Sequence, residues 1–248
     1  MTAKSGKTRL DVLLVDRGLA DSRQKAQAMI LAGEVLVDGV RVEKAGHSVR
    51  SDARIEVSSR LQKYVGRGGF KLEGALSDFG VNPAGKTCLD VGGSTGGFTD
   101  CLLQHGAVKV FAVDVNVAQM AWKLQQDPRV FRVERNAREL NPEDVTETVD
   151  LVVIDVSFIS VTKVLAPAIR IANINAEFLI LVKPQFELRK EQVGSGGIVT
   201  EERLQQEAVS RVWDNAIASG LECKEVRPSH LRGAEGNQEF FLYARKPS

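Results

Sequence analysis

The strongest constraint on architecture lies at residues 87 to 99, where Thr-Cys-Leu-Asp-Val runs directly into Gly-Gly-Ser-Thr-Gly-Gly-Phe-Thr. The first five residues read as a short buried strand, the glycines break it, and the chain resumes as a helix. Strand, glycine loop and helix together form the nucleotide-binding unit of doubly wound α/β sheets. Glycines let backbone approach a ligand closely, and the helix start offers free N–H groups and the positive end of its dipole. The loop lacks both the Gly-Lys-Ser/Thr of a P-loop and the Gly-x-Gly-x-x-Gly spacing of dinucleotide enzymes.

Further strands are expected at Val110 to Val113, ending in Asp114, at Phe131 to Val133, ending near Asn136, and at Val149 to Ile154, ending in Asp155. Phe178 to Val182 is a fifth, stopped by Lys183-Pro184. Thr200 is expected to cap a long helix that closes at Gly220, and a hairpin whose last strand is Glu239 to Ala244 finishes the sheet. Alternating elements of this kind predict an α/β, Rossmann-like parallel sheet with helices on both faces and ligands at the carboxyl ends of its strands.

Two aspartates narrow the choice of ligand. Asp114, 22 residues after Gly92, is placed to accept both hydroxyls of a ribose. Asp90, just before the glycines, repels a pyrophosphate and suits an ammonium group. S-adenosylmethionine carries an adenosine for Asp114, a carboxylate for the loop amides and an ammonium for the acidic side. The contacts expected are Asp90, Gly92, Gly93, Ser94, Gly96, Gly97 and Phe98, then Asp114 and Val115, then Asn136 and Ala137, where methyltransferases of this fold touch the adenine. The competing reading is a structural strand-to-helix turn with a capping aspartate; the second aspartate weighs against it.

The net charge of +1 conceals an asymmetry: residues 1 to 65 hold 12 Lys/Arg against 8 Asp/Glu, and the remainder 21 against 24. A small basic module on a larger acidic one suits a polyanionic partner, though an ordinary solvated surface has the same composition. With 43% hydrophobic and 26% charged residues the chain has material for a proper core. No apolar run exceeds five residues, so neither a membrane span nor a secretory signal is expected. Cys88, Cys101 and Cys223 are scattered, as are the histidines, and predict reduced thiols in the cytoplasm and no metal site. Oligomeric state stays open, with a monomer favoured. The boundary is read at Ser58 to Gly69, giving domains over 1–62 and 63–248.

In the first domain Leu10, Leu13, Leu14 and Val15 share a helical face that Gly18 ends, and Asp21 with Gln24 reads as a capping box for a second helix burying Ala26, Met29 and Ile30. Asp38-Gly39 between Val35–Val37 and Val40–Val42 predicts a type I′ hairpin, and Ala53 to Val57 a further strand. The run RLDVLLVDRGLADSRQKAQAMILAGEVLVDGVRV resembles the S4 RNA-binding domain over residues 8 to 57. That resemblance implies contacts to folded RNA backbone from Arg9, Arg23 and Lys25, and after them Arg41 and Lys44; Arg67, past the resemblance, is a further candidate RNA contact, and a plain surface charge is the alternative for each.

Lys71 in GGFKL, Asp155 in VVIDVSFIS, Lys183 in LVKPQFE and Glu239 in NQEFFLYA resemble the Lys-Asp-Lys-Glu tetrad of FtsJ-like ribose 2′-O-methyltransferases. With the S4-like module the chain is similar, nearly end to end, to the TlyA family, named haemolysins but acting as ribosomal RNA methyltransferases. The resemblance implies 2′-O-methylation of a cytidine ribose by S-adenosylmethionine, on large-subunit RNA in shorter members and also on small-subunit RNA in longer ones; this chain reads as the shorter type. Lys183 is expected to take the proton, Asp155 and Lys71 to orient it and the 2′-hydroxyl, and Glu239 to complete the network. A lysine ordinarily titrates near 10.4, so the alternative is a fixed cation that steadies the oxyanion while the proton leaves elsewhere. Glu187 to Val199 reads as a loop over the RNA entrance or a plain connection, Phe158 as a base-stacking or a buried ring, and Trp122 and Trp213 as core. Competing functions are a catalytically dead RNA-binding assembly factor, a membrane-acting haemolysin without an evident membrane helix, and an S4-linked pseudouridine synthase, against which the glycine loop argues.

Overall fold

The computed structural model describes residues 6–20, 22–57 and 63–248, which form two compact units, Met1–Lys63 and Tyr64–Ser248. In the first, β1 (Lys7–Arg9) pairs antiparallel with β4 (Ser48–Arg50), and β2 (Val35–Val37) lies between β3 (Val40–Arg41) and β5 (Ile55–Val57). Helices α1 (Leu10–Asp16) and α2 (Arg23–Leu31) bury Leu10, Leu13, Leu14, Ala26 and Ile30 with Val35 and Val49. Asp38 and Gly39 have φ of 51° and 80°, the two left-handed residues a type I′ turn demands. The cap of α2 differs from expectation: Ser22 accepts the Lys25 N–H at 3.2 Å, while Asp21 lies outside the described residues. Residues 58–62 of the expected boundary lie outside them as well.

The second unit is a seven-stranded sheet in the order β11-β12-β10-β9-β6-β7-β8. In chain order its elements are α3 (Gly68–Phe79), β6 (Thr87–Val91), α4 (Gly97–Gln104), β7 (Lys109–Asp114), α5 (Trp122–Gln125), β8 (Val130–Glu134), β9 (Val149–Ile154), α6 (Thr162–Ile171), β10 (Ala172–Val182), α7 (Pro184–Glu187), α8 (Glu202–Ala218), β11 (Glu222–Pro228) and β12 (Phe240–Arg245). Strands β6 to β10 are parallel, whereas β12 runs antiparallel to both of its neighbours, β10 and β11. The central strands are apolar on both faces because both are covered. Leu89, Val91, Val152 and Ile154 pack with α6 and α8, and Cys88, Leu151 and Val153 with α3 and α4. Helix α8 is flanked by Glu201, not by a Thr200 side-chain cap. Trp122 corrects the core expectation: it opens a four-residue helix, too short to bury a face, and is 72% exposed, while Trp213 is half-buried against the core.

The chain leaves β6 toward β7 on one side and reaches β9 on the other. The carboxyl ends of β6 and β9 therefore diverge into a crevice at the switch point, where a ligand belongs in such a sheet.

Candidate active site

A cleft of about 380 Å³ opens at that switch point, within the usual range for small-molecule sites. Gly92, Ser94, Asp114, Val115, Asn136 and Ala137, all expected from sequence, line it together with Gln119 and Asp155 to Ile159. Asp114 Oδ2 accepts the Ser94 N–H and Oδ1 the Asn116 N–H, both at 2.9 Å, which fixes the carboxylate at the rim with lone pairs left for a diol. Gly92 (φ 93°) must be glycine: a Cβ there would overlap the Asp155 carbonyl oxygen, so this close approach joins the loop to the strand end carrying Asp155.

The remaining loop residues make close contacts within the protein. Gly93, Gly96, Gly97 and Phe98 are absent from the cleft lining. Gly93 faces Ala112 and Met120, a Cβ on Gly96 (φ 96°) would strike Leu124, Gly97 lies against the backbone of Gly68 and Gly69, and Phe98 stacks on Phe241 at 6.2 Å. These contacts pack the loop against its neighbours within the protein. Asp90 is sealed beneath the loop, with Oδ2 accepting from the Thr99 hydroxyl at 2.6 Å and Oδ1 unpartnered. An orphaned buried carboxylate oxygen under the loop fits a cationic ligand group.

Burial pushes the Asp90 carboxyl up from 3.8 to about 7, against the Thr99 hydrogen bond. A raised carboxyl makes the folded state bind more protons than the unfolded state between those two values. Stability is therefore lost as pH rises through that window, and the loss is complete above it. Between pH 5 and pH 8 the ligand-free protein is expected to lose about 3 kcal/mol that Asp90→Asn does not lose, measured by denaturant unfolding of both at each pH. Parallel pH curves for the two proteins would count against a buried, late-ionising Asp90.

The four charged residues fall into two ion pairs. Lys183 Nζ lies 2.5 Å from Asp155 Oδ1 and donates to Ser157 Oγ at 2.9 Å. Lys71, in the first turn of α3, pairs with Glu239, and both are buried. Sheet register brings the pairs side by side: Ile154 is opposite Ile180, and Val182 opposite Phe240, so Asp155, Lys183 and Glu239 leave three neighbouring strands at one end. Adjacent strands lie about 4.8 Å apart. Ser157 was not anticipated; a hydroxyl two residues beyond the strand-end aspartate is the signal that was available.

Phe158 is 89% exposed, lines the cleft mouth, and has φ of 66°, an outlier for a bulky residue. The buried-ring reading is thus excluded. The Glu187–Val199 segment is tied at both ends: Glu187 is bonded to Ser160 and Val161, and Asn237 accepts the Val199 N–H while donating to the Gly197 carbonyl, each at 2.8 Å.

In the first unit Arg9, Arg23, Lys25, Arg41 and Lys44 are exposed. Arg9 and Arg23 converge on Asp11, a fully buried carboxylate that accepts from Arg9 Nε and Nη2, Arg23 Nε and Gln27 at 2.7–3.0 Å. These donors hold the Asp11 carboxyl far below the ordinary range, the Arg9 hydrogen bond most of all. Sequence pattern missed this hub, which fixes two guanidinium groups while leaving further N–H donors outward. Arg67 is half-buried and donates to the Arg232 carbonyl at 3.4 Å.

Comparison with known proteins gives the same two-part layout. The FtsJ-like methyltransferase family matches residues 64–246, and the S4 domain family residues 8–55. The 16S/23S rRNA (cytidine-2'-O)-methyltransferase TlyA of Mycobacterium tuberculosis is 45% identical over 241 residues, covering 96% of this chain and 90% of its own. The 23S rRNA (cytidine-2'-O)-methyltransferase TlyA of Campylobacter jejuni is 29% identical, covering 92% and 96%. A solved structure named as a hemolysin from Streptococcus thermophilus superimposes with a TM-score of 0.77 at 37% identity, over 98% of this chain and 90% of that one.

Proposed function

The chain belongs to the FtsJ-like methyltransferase family, and from that premise we propose that it transfers a methyl group from S-adenosylmethionine to the ribose 2′-oxygen of a cytidine in ribosomal RNA. The observation that carries this reading is the pair of ion pairs, Lys183–Asp155 and Lys71–Glu239, beside a cleft rimmed by Asp114. Burying charges costs several kcal/mol per ion in desolvation, so two such pairs at a ligand crevice are poor stability devices and good chemical ones. A non-catalytic assembly factor has no use for them. Among the described residues no helix is long and apolar enough to cross a membrane.

Ser94, Asp114, Asn136 and Ala137 would hold S-adenosylmethionine, which supplies an electrophilic methyl on a sulfonium. The protein's task is then to aim the 2′-oxygen and accept its proton. Lys183 Nζ donates to Ser157 Oγ and lies 2.5 Å from the Asp155 carboxylate, which leaves its remaining valences for the carboxylate and the 2′-oxygen. A proton passed from Nζ to the Asp155 carboxylate across the 2.5 Å contact leaves an amine lone pair that can take the 2′-hydroxyl proton, and the restored ammonium then faces the oxygen as its negative charge develops. Lys71 and Glu239 fix the neighbouring wall. Phe158, exposed at the mouth, offers a face for a base of the RNA.

Labelled S-adenosylmethionine with isolated ribosomal subunits, followed by mapping of the product, tests the reading. Methylated cytidine in the large-subunit RNA is the first expectation. Small-subunit RNA belongs in the same assay, because identity to the relative named for both is 45% against 29% for the one named for 23S alone. No transfer to either subunit defeats the proposal.

The S4-like unit supplies the grip on RNA. Arg9→Gln with Arg23→Gln is expected to weaken subunit binding and to lower the slope of log affinity against log salt by about 2, one counterion for each phosphate that is no longer neutralised. Filter binding between low and moderate salt measures it; an unchanged slope removes these arginines from the interface.

A further inference from the structure

Beyond the tetrad, the segment after β9 and the segment after β10 are joined a second time, one helical turn away from the Lys183–Asp155 contact. Glu187, the last residue of α7 and 2% exposed, accepts the Ser160 hydroxyl at 2.5 Å and the Val161 N–H at 2.8 Å. Its own carbonyl accepts Arg211 of α8 at 2.7 Å, and the Phe186 N–H returns to the Lys183 carbonyl at 2.9 Å. The acceptor is thus anchored to a long helix and to the strand end that bears Lys183.

Between the two cross-links lie Ser157 and Phe158. Phe158 has a left-handed backbone that persists only where its surroundings impose it. The near end of the segment is held by the Asp155 N–H on the Val91 carbonyl and by the Lys183 contacts. The far end is held by Glu187. A buried carboxylate is an expensive anchor: desolvation raises its pKa against the Ser160 and Val161 donors. Its position at the start of α6 recovers part of that cost through the helix dipole.

We propose that Glu187 is a positioning residue for methyl transfer, whose carboxylate sets the Ser157–Phe158 segment, and so the Lys183 ammonium and the RNA-facing ring, in the reactive arrangement. The inference rests on the methyltransferase reading above. Released from Ser160 and Val161, the segment relaxes its strained φ and Ser157 moves off Lys183. Displacements of about 1 Å at a reacting group cost on the order of a hundredfold in rate.

Single-turnover transfer from saturating labelled S-adenosylmethionine to isolated ribosomal subunits is the test, with cofactor affinity and thermal stability measured alongside. Glu187→Ala is expected to slow transfer about a hundredfold while cofactor affinity changes less than about threefold. Glu187→Gln is expected to stay within about tenfold of the wild type, because its amide oxygen can accept Val161 and its NH₂ can donate to the Ser160 oxygen. Ser160→Ala, which removes one of the two bonds and is the milder change if Glu187→Ala does not fold, is expected to slow transfer about tenfold. Wild-type rates for Glu187→Ala, or for Ser160→Ala where the former is unfolded, overturn the proposal, as does a glutamine variant as slow as the alanine one. Absence of transfer by the wild type itself would defeat the methyltransferase reading instead.

Discussion

Lys183→Ala is expected to lower methyl transfer by about three orders of magnitude, the loss typical when a proton acceptor in direct contact with the reacting group is removed. The substitution deletes the amine assigned to the 2′-oxygen and leaves Asp155 without its cation. Cofactor affinity is expected to hold within about threefold, because Lys183 does not line the cleft and an uncompensated Asp155 nearby does not repel a cationic cofactor. Single-turnover transfer and equilibrium dialysis separate the two quantities. Lys183→Arg sharpens the assignment. It keeps a cation beside Asp155 but does not give up a proton, so a rate as low as that of the alanine variant places the proton at this position. Transfer at the wild-type rate by Lys183→Ala sinks the mechanism.

The second large effect is at Gly92. Alanine there meets both a φ of 93° and the Asp155 carbonyl oxygen, which is backbone and has no rotamer to escape into. Unfolding free energy is expected to fall by about 3 kcal/mol or more, and cofactor affinity by more than about tenfold, since Gly92 also lines the cleft. Gly80→Ala provides the comparison. Its φ is 65°, but nothing lies within 4 Å of the added Cβ, so only backbone strain of about 1 kcal/mol is expected. Equal costs at the two positions would show that the overlap with Asp155 has no weight. Denaturant melts with and without S-adenosylmethionine decide it.

Asp155 and Lys183 were legible as neighbours because each follows a buried strand, and strand ends are where an open α/β sheet gathers its chemistry; Lys71 and Glu239 were named only through the resemblance to FtsJ-like enzymes. Which lysine takes which carboxylate was not legible. The Lys71–Glu239 pair spans 168 residues and depends on the insertion of β12 beside β10. The glycine loop shows a different limit. Spacing marks it as one block, yet Gly92 and Ser94 line the cleft while Gly93, Gly96, Gly97 and Phe98 also pack against other parts of the protein, and only the course of the backbone shows those contacts. Trp122 was misplaced because a helical face was assumed where the helix has a single turn. Asp11 and Glu187 were missed for a shared reason: each is defined by donors from distant segments, and a lone acidic residue in a pattern carries no sign of them.

The placement of β12 bears on how the enzyme comes into being. A strand lodged between β10 and β11, not appended at the rim, cannot dock until nearly the whole unit has been translated. A nascent chain that ends before Glu239 therefore carries Lys71 without its counter-charge. Unfinished molecules emerge beside ribosomal RNA, the very polymer proposed as substrate, yet lack the carboxylate that pairs with Lys71. Competence arrives with completion.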